Sequence, residues 1–121
     1  MLFRSSEVIR IRESQMLKGI LDGCVLRVIA DGEVYGYELI QKLKQSGFDN
    51  AVGGTIYPIL QKLEKNGDVT SLMKKSKEGP NRKYFQITEQ GLVTLQAFWE
   101  DFDSLVGKVN RIWGESNERD V

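Results

Sequence analysis

The most regular hydrophobic pattern lies towards the C-terminal end of the chain. Apolar residues recur there at alternating spacings of three and four: Leu92, Leu95, Trp99, Phe102, Val106, Val109 and Trp113. This is the spacing of a helix that packs along a second helix. Because Thr88 precedes the pattern and is a suitable N-cap, the sequence predicts a helix over residues 89–113 and a flexible tail over residues 114–121.

Three shorter helices are predicted upstream. Apolar residues repeat at helical spacing over residues 14–30, where Ser14 is a candidate N-cap. A second helix is predicted from about residue 35 to the Gly47 stop. Thr55 is expected to cap the third helix, with Pro58 in its first turn, where a missing N–H does no harm.

The segment after the third helix has the composition of a β-hairpin. Residues 69–76 and 83–87 are strand-like, and the Glu-Gly-Pro-Asn sequence of residues 78–81 between them is a turn. A helix followed by a basic hairpin is the arrangement of a winged helix-turn-helix. The predicted fold is therefore mainly α with a small β-hairpin: an arm over residues 1–13, a winged helix-turn-helix over 14–88, and dimerisation helices at the two ends.

The distribution of charge favours DNA as the partner. The 121 residues carry no net charge, but residues 37–84 are net +4 and residues 85–121 are net −4. Lysine and arginine suit phosphates, and glutamine suits base edges. An ordinary solvated helix face and lysines that protect a sheet edge are the alternatives. The candidate DNA contacts are Tyr37, Thr55, Tyr57, Pro58, Gln61, Lys62, Lys65, Lys77, Arg82 and Lys83.

Composition also excludes several classes of protein. The chain has no histidine and one cysteine, Cys24, so it cannot form a zinc site or a histidine-based catalytic pair. We therefore expect no enzyme, no metal and no cofactor. The sequence lacks an apolar run of about 18 residues and an N-terminal signal pattern, which predicts a cytoplasmic protein with no membrane segment.

The C-terminal stripe holds more apolar surface than a small domain can cover. A second copy under two-fold symmetry is the economical solution, and a helix folded over its own sheet is the alternative. Trp99 and Phe102 are also candidates to line a cavity for a flat aromatic effector, unless the seam is simply filled. The candidate interface or pocket residues are Leu17, Leu21, Leu95, Trp99, Phe102, Val106, Val109 and Trp113.

Three motifs resemble the PadR family of bacterial regulators, in its compact branch with a single C-terminal helix. They are YGYELIQKL from Tyr35, GTIYPILQKLEKNG from Gly54 and GPNRKYFQITEQG from Gly79. The resemblance implies a winged-helix dimer whose C-terminal helix packs on the partner's N-terminal helix. We therefore predict a dimeric DNA-binding repressor, relieved by a small aromatic effector or another signal. The alternative is a winged-helix module that binds an acidic protein partner.

Overall fold

The computed structural model describes residues 16–76 and 79–119. Its elements are α1 (Leu21–Ala30), β1 (Val34–Tyr35), α2 (Gly36–Gln45), α3 (Gly53–Lys65), β2 (Val69–Lys74), β3 (Arg82–Ile87) and α4 (Glu89–Arg119). The mainly helical fold with a small antiparallel sheet confirms the predicted fold class. The predicted arm over residues 1–13 and the Ser14 cap lie outside the described residues.

One hydrophobic core joins α1, α2, α3 and one face of the sheet. Its side chains follow the helical spacing seen in the sequence, and burying each of the larger ones stabilises the fold by about 1.5–3 kcal/mol. The members that are at most 2% exposed are Val25, Leu26, Ile29, Val34, Leu39, Leu43, Ala51, Ile56, Leu60 and Val69.

The first helix differs from the prediction of one continuous helix over residues 14–30. Residues 16–17 are helical, residues 18–20 form a turn, and α1 begins at Leu21. Gly19 lies in this turn, where its low helix propensity favours an interruption. Leu21, which was expected at the dimer interface, is only 5% exposed and belongs to the core of its own chain.

The start of α3 also differs from the prediction. The helix begins at Gly53, with Val52 as an extended N-cap residue, so Thr55 is the third helical residue and not the cap. The N–H of Ile56 bonds to the carbonyl of Val52 at 2.9 Å, which extends the helix to include the two glycines. Pro58 consequently lies in the second turn, where its missing N–H deprives the Gly54 carbonyl of its usual helical partner.

The sheet contains a third strand that the sequence pattern did not indicate. The order is β1-β3-β2, all antiparallel, with Val34 opposite Phe85. The wing strands β2 and β3 pair from Val69 opposite Ile87 to Lys74 opposite Arg82. Because β1 has only two residues, it is too short to show an alternating pattern.

A set of hydrogen bonds holds the start of α4 against the α3–β2 turn. The N–H of Gly91 bonds to Thr88 Oγ1 at 2.9 Å, which confirms Thr88 as the N-cap. Asp68 is 4% exposed and accepts bonds from Thr94 Oγ1 at 2.7 Å and Gln90 Nε2 at 3.3 Å. The first turns of α4 are therefore fixed to the turn between α3 and β2.

The last helix is longer than predicted. It continues to Arg119, six residues past the expected end at Trp113. Gly114 directly follows Trp113 at the position of a helix stop, but residues 114–119 contain no proline and the helix continues through the glycine. Beyond the core contacts near its start, α4 leaves much of its apolar stripe exposed: Trp99 is 57% and Trp113 62% exposed.

Candidate nucleic-acid interface

The outward face of α3 is a continuous exposed surface. It presents Thr55, Pro58, Gln61, Lys62 and Lys65, all of them exposed. Because α3 is anchored by Ile56, Leu60 and Leu63 on its opposite side, this face is held rigidly away from the core. A helix presented in this way has the dimensions needed to enter a major groove.

Tyr57 is fixed at one edge of this face by two glycines. A Cβ added to Gly36 would lie 2.6 Å from Tyr57 Cε1, and one on Gly53 would lie 3.2 Å from Tyr57 Cε2. The ring therefore packs directly on the backbone at the start of α2, with its side chain still 47% exposed. The motif glycine of Tyr35-Gly36-Tyr37 has a packing role, since a side chain there would displace the ring.

A cleft of about 510 Å³ lies between α3, the start of α2 and the wing. We call it the wing cleft. Its lining includes Tyr35, Tyr37, Tyr57, Gln61, Glu64, Arg82 and Lys83. The Arg82 guanidinium lies 4.4 Å from the centroid of the Tyr35 ring, and Tyr35 meets Tyr84 edge-on at 5.4 Å. These contacts orient a cation at the mouth of the cleft.

Two of the lysines around α3 form ion pairs with carboxylates of the same chain. Lys83 Nζ lies 3.3 Å from Glu64 Oε1, and Lys62 pairs with Asp22 of α1. The hydrogen bond from the Ser71 hydroxyl, followed by the contact with Lys83, lowers the pKa of Glu64. Sequence patterns could not indicate the Lys62–Asp22 pair, because its members are 40 positions apart.

A third pair lies on the wing strand. Lys74 contacts Glu33, and Gln86 Nε2 donates to the other oxygen of that carboxylate at 2.7 Å. The Lys74 contact first, and the Gln86 bond to a smaller degree, lower the pKa of Glu33. Lys74 is thereby turned towards β1 and its preceding loop.

The structure divides the sequence-predicted contacts into three groups. Tyr37, Tyr57, Gln61, Arg82 and Lys83 come together around the wing cleft. Thr55, Pro58 and Lys65 lie along the exposed face of α3, and Lys62 lies on the flank towards α1. Lys77 lies outside the described residues. Sequence reasoning missed Tyr35, Asp22 and Glu64, whose roles depend on contacts between distant segments.

The predicted interface residues differ from one another in their exposure to solvent. Leu17 and Leu95 are half-buried, and Leu95 packs against the core. Phe102 and Val106 are half-buried, whereas Trp99, Val109 and Trp113 are exposed. Trp99, Val109 and Trp113 therefore belong to an apolar surface of α4 that is exposed in the single chain.

A second cavity of about 510 Å³ lies between α1, the end of α2 and α4. Its apolar lining includes Val28, Leu43, Phe98 and Trp99, together with Cys24, whose pKa is raised by burial. Phe102 was expected to line such a cavity with Trp99. It is not among the lining residues, but its ring lies 5.8 Å from that of Trp99.

A helical core, an exposed third helix and an adjoining wing define the winged helix-turn-helix class of DNA-binding proteins. The chain belongs to the PadR-like family of transcriptional regulators, whose model matches residues 25–97. This confirms the predicted family and the prediction of a regulator instead of an enzyme.

Solved structures agree with this assignment. A Streptococcus transcriptional regulator is 50% identical, with a TM-score of 0.74, over 81% of this chain and 96% of that chain. A PadR-like transcriptional regulator from Bacillus cereus is 42% identical, with a TM-score of 0.75, over 82% and 96%. In sequence alone, the chain is also similar to an uncharacterized protein of Lysinibacillus sphaericus, which is 31% identical over 68% of this chain and 77% of its own length.

Neither a metal-binding cluster nor a membrane-spanning helix is found within the described residues. No group of cysteine, aspartate and glutamate side chains within residues 16–76 and 79–119 is arranged to hold a metal ion. In the same part of the chain, no helix has the length and apolar character needed to cross a membrane.

Proposed function

We propose that the protein is a homodimeric transcriptional repressor that places α3 in the major groove of an operator. The observation that carries this proposal is the exposed face of α3 beside the wing cleft, where polar and cationic side chains converge. Gln61 is suited to hydrogen-bond a base edge, whereas Lys65 and Arg82 are suited to phosphates. Tyr37 and Tyr57 add hydroxyl groups at the same edge.

The exposed stripe of α4 supports the dimer. Trp99, Val109 and Trp113 are each 45–62% exposed in the single chain. Exposed aromatic and aliphatic side chains at heptad spacing are typical of helices that pair. Two-fold pairing through α4 sets the two α3 helices at a fixed separation, which suits half-sites about 34 Å apart.

The cavity beside Trp99 supports the proposal that a flat apolar effector binds there. Its walls belong to both α1 and α4. An aromatic molecule seated there would favour one packing of α4 over another. Because α4 is bonded to the α3–β2 turn, a change in its packing would alter the separation of the α3 helices and weaken operator binding.

Selection of bound duplexes from a random pool tests the main proposal. We expect a palindromic site with half-sites about one helical turn apart. Lys65→Ala and Arg82→Ala should each weaken binding to that site and reduce the slope of log K against log salt by about 0.9. Lys108→Ala, an exposed lysine on α4, is the matched control. Unchanged slopes for both variants would remove these side chains from the interface.

Tryptophan fluorescence tests the effector site. The chain has two tryptophans, so Trp113→Phe leaves Trp99 as the single reporter. Titration with anilinonaphthalene sulfonate should quench Trp99 with saturation and lower operator affinity. Quenching without any change in operator affinity would separate the cavity from regulation.

A further inference from the structure

Two ion pairs link α3 to its neighbouring elements. On one flank α3 contributes the cation, and on the other flank it contributes the carboxylate. On one flank Lys62 pairs with Asp22 in the first turn of α1. On the other flank Glu64 pairs with Lys83 of the wing, at 3.3 Å between Nζ and Oε1. Two lysines that we expect to contact DNA are therefore neutralised by their own chain before any DNA arrives.

The remaining cations of this surface differ. Among residues 16–76 and 79–119, Lys65 and Arg82 have no carboxylate within ion-pair distance. Arg82 instead lies over the ring of Tyr35. Of the four described cations Lys62, Lys65, Arg82 and Lys83, two are thus held in ion pairs and two have no described carboxylate partner.

Both carboxylates remain stabilised if their lysine leaves. Glu64 keeps the hydrogen bond from the Ser71 hydroxyl, a contact that does not involve Lys83. Asp22 lies in the first turn of α1, where the helix dipole favours a negative charge. An exchange of each lysine from carboxylate to phosphate is therefore local and needs no rearrangement of the core.

We propose that Asp22 and Glu64 are affinity-limiting residues, which compete with DNA phosphates for Lys62 and Lys83 by holding them in these ion pairs. The proposal rests on the proposed function. Binding to random DNA is almost wholly electrostatic and loosely docked, so it is weakened when two cations stay paired. At an operator, base contacts fix α3 in the groove and bring phosphates close enough to take both lysines, and operator affinity is then reduced by the free energy of the two broken ion pairs.

Isosteric variants test the proposal with a random duplex of about 25 base pairs, followed by fluorescence anisotropy over a range of salt. We expect Asp22→Asn and Glu64→Gln each to tighten random-duplex binding about three- to fivefold at low salt. Each should also steepen the salt slope by about 0.9. Operator affinity should rise by at least as much, because the operator complex of the unmodified protein has to break both ion pairs. Its salt slope should stay unchanged, since both lysines already contact phosphates there.

The control for net charge is Asp31→Asn. Asp31 pairs with Arg27 of α1, and its change adds the same charge without releasing a lysine beside α3. A gain for Asp31→Asn equal to those of the two test variants would overturn the proposal, because general charge would then explain it.

A double-mutant comparison identifies the side chain through which Asp22 acts. In a Lys62→Met background, Asp22→Asn should give no gain beyond that of Asp31→Asn; a full gain there would also overturn the proposal. Failure of the proposed function has a different signature. In that case the unmodified protein would bind neither random duplex nor any selected operator at low salt.

Discussion

Replacing Gly91 by alanine should destabilise the protein sharply, although alanine is the better helix former. Gly91 is the third residue of α4 and lies against the α3–β2 turn. A Cβ at this position would be 2.0 Å from the carbonyl oxygen of Asp68 and 2.7 Å from Ile87 Cγ1. Because the first of these neighbours is backbone, no change of rotamer relieves it.

The size of the effect follows from that geometry. Real Cβ atoms essentially never approach another heavy atom within 3.0 Å, so α4 and the turn must separate by about 1 Å. The same carbonyl accepts bonds from the Thr88 N–H at 3.1 Å and Thr88 Oγ1 at 3.0 Å, which this movement would stretch. Overpacking at about 1–3 kcal/mol and two weakened bonds at about 1 kcal/mol each outweigh a propensity gain of at most about 1 kcal/mol.

We therefore expect a net loss of about 2–4 kcal/mol for Gly91→Ala, or a melting temperature lower by roughly 8 °C or more. Circular dichroism at 222 nm measures it, at one fixed protein concentration because a dimer melts in a concentration-dependent way. Gly54→Ala is the control, since Gly54 is also near a helix start and has no atom within 4 Å of the added Cβ. Equal melting temperatures for the two variants would refute the packing argument.

Three further predictions concern other parts of the molecule. Replacing Trp99 and Trp113 together by glutamate should produce monomers in sedimentation velocity experiments, and a persistent dimer would place the interface elsewhere. Gly23→Ala should lower the free energy of unfolding, measured with a chemical denaturant, by about 1–2 kcal/mol, because the added Cβ would lie 2.3 Å from the Phe98 ring and the overpacking exceeds the gain in helix propensity. A stabilised variant would show that the ring moves freely. The folded pKa of Glu64 is lowered by Ser71 first and Lys83 second, so its carboxylate stabilises the fold above its ordinary value of 4.5 and loses this effect as pH falls through the lower folded value. The melting-temperature difference between the unmodified protein and Glu64→Gln should therefore be largest at neutral pH and disappear as pH falls through the lowered folded pKa of Glu64, whereas a constant difference would exclude titration of this group.

The sequence predicted the parts of the fold that depend on local chemistry. Helix α2 and its stop at Gly47, with φ of +103°, follow from periodicity and from a glycine in the left-handed region. The Thr88 cap follows from its hydroxyl and its place before an apolar stripe. In these cases the residues that specify the structure are neighbours in the chain, so a pattern is sufficient.

The errors occur where distant contacts override a local preference. Thr55 is a good cap in isolation, but the burial of Ile56 in the core and the packing of Tyr57 on Gly36 of α2 support a helix that starts earlier. Leu21 has the spacing of an interface residue, yet the core of its own chain covers it. The predicted contacts on α2, α3 and the wing lie together around the wing cleft, whereas Asp22 needed the fold to bring it to Lys62.

The junction at Asp68 connects the two surfaces on which the proposed function depends. Thr94, Gln90 and Thr88 each bond to the turn that ends α3 and starts the wing. A flexible junction would absorb a shift of α4, whereas a buried and fully bonded one transmits it. Thr94→Val removes one bond to the buried Asp68 carboxylate with little change in shape. On the proposed mechanism, it should broaden the range of half-site spacings that the protein accepts, while leaving affinity for a single half-site unchanged. An unaltered preference for half-site spacing would mean that the two α3 helices of the dimer are positioned by another contact between α4 and the core.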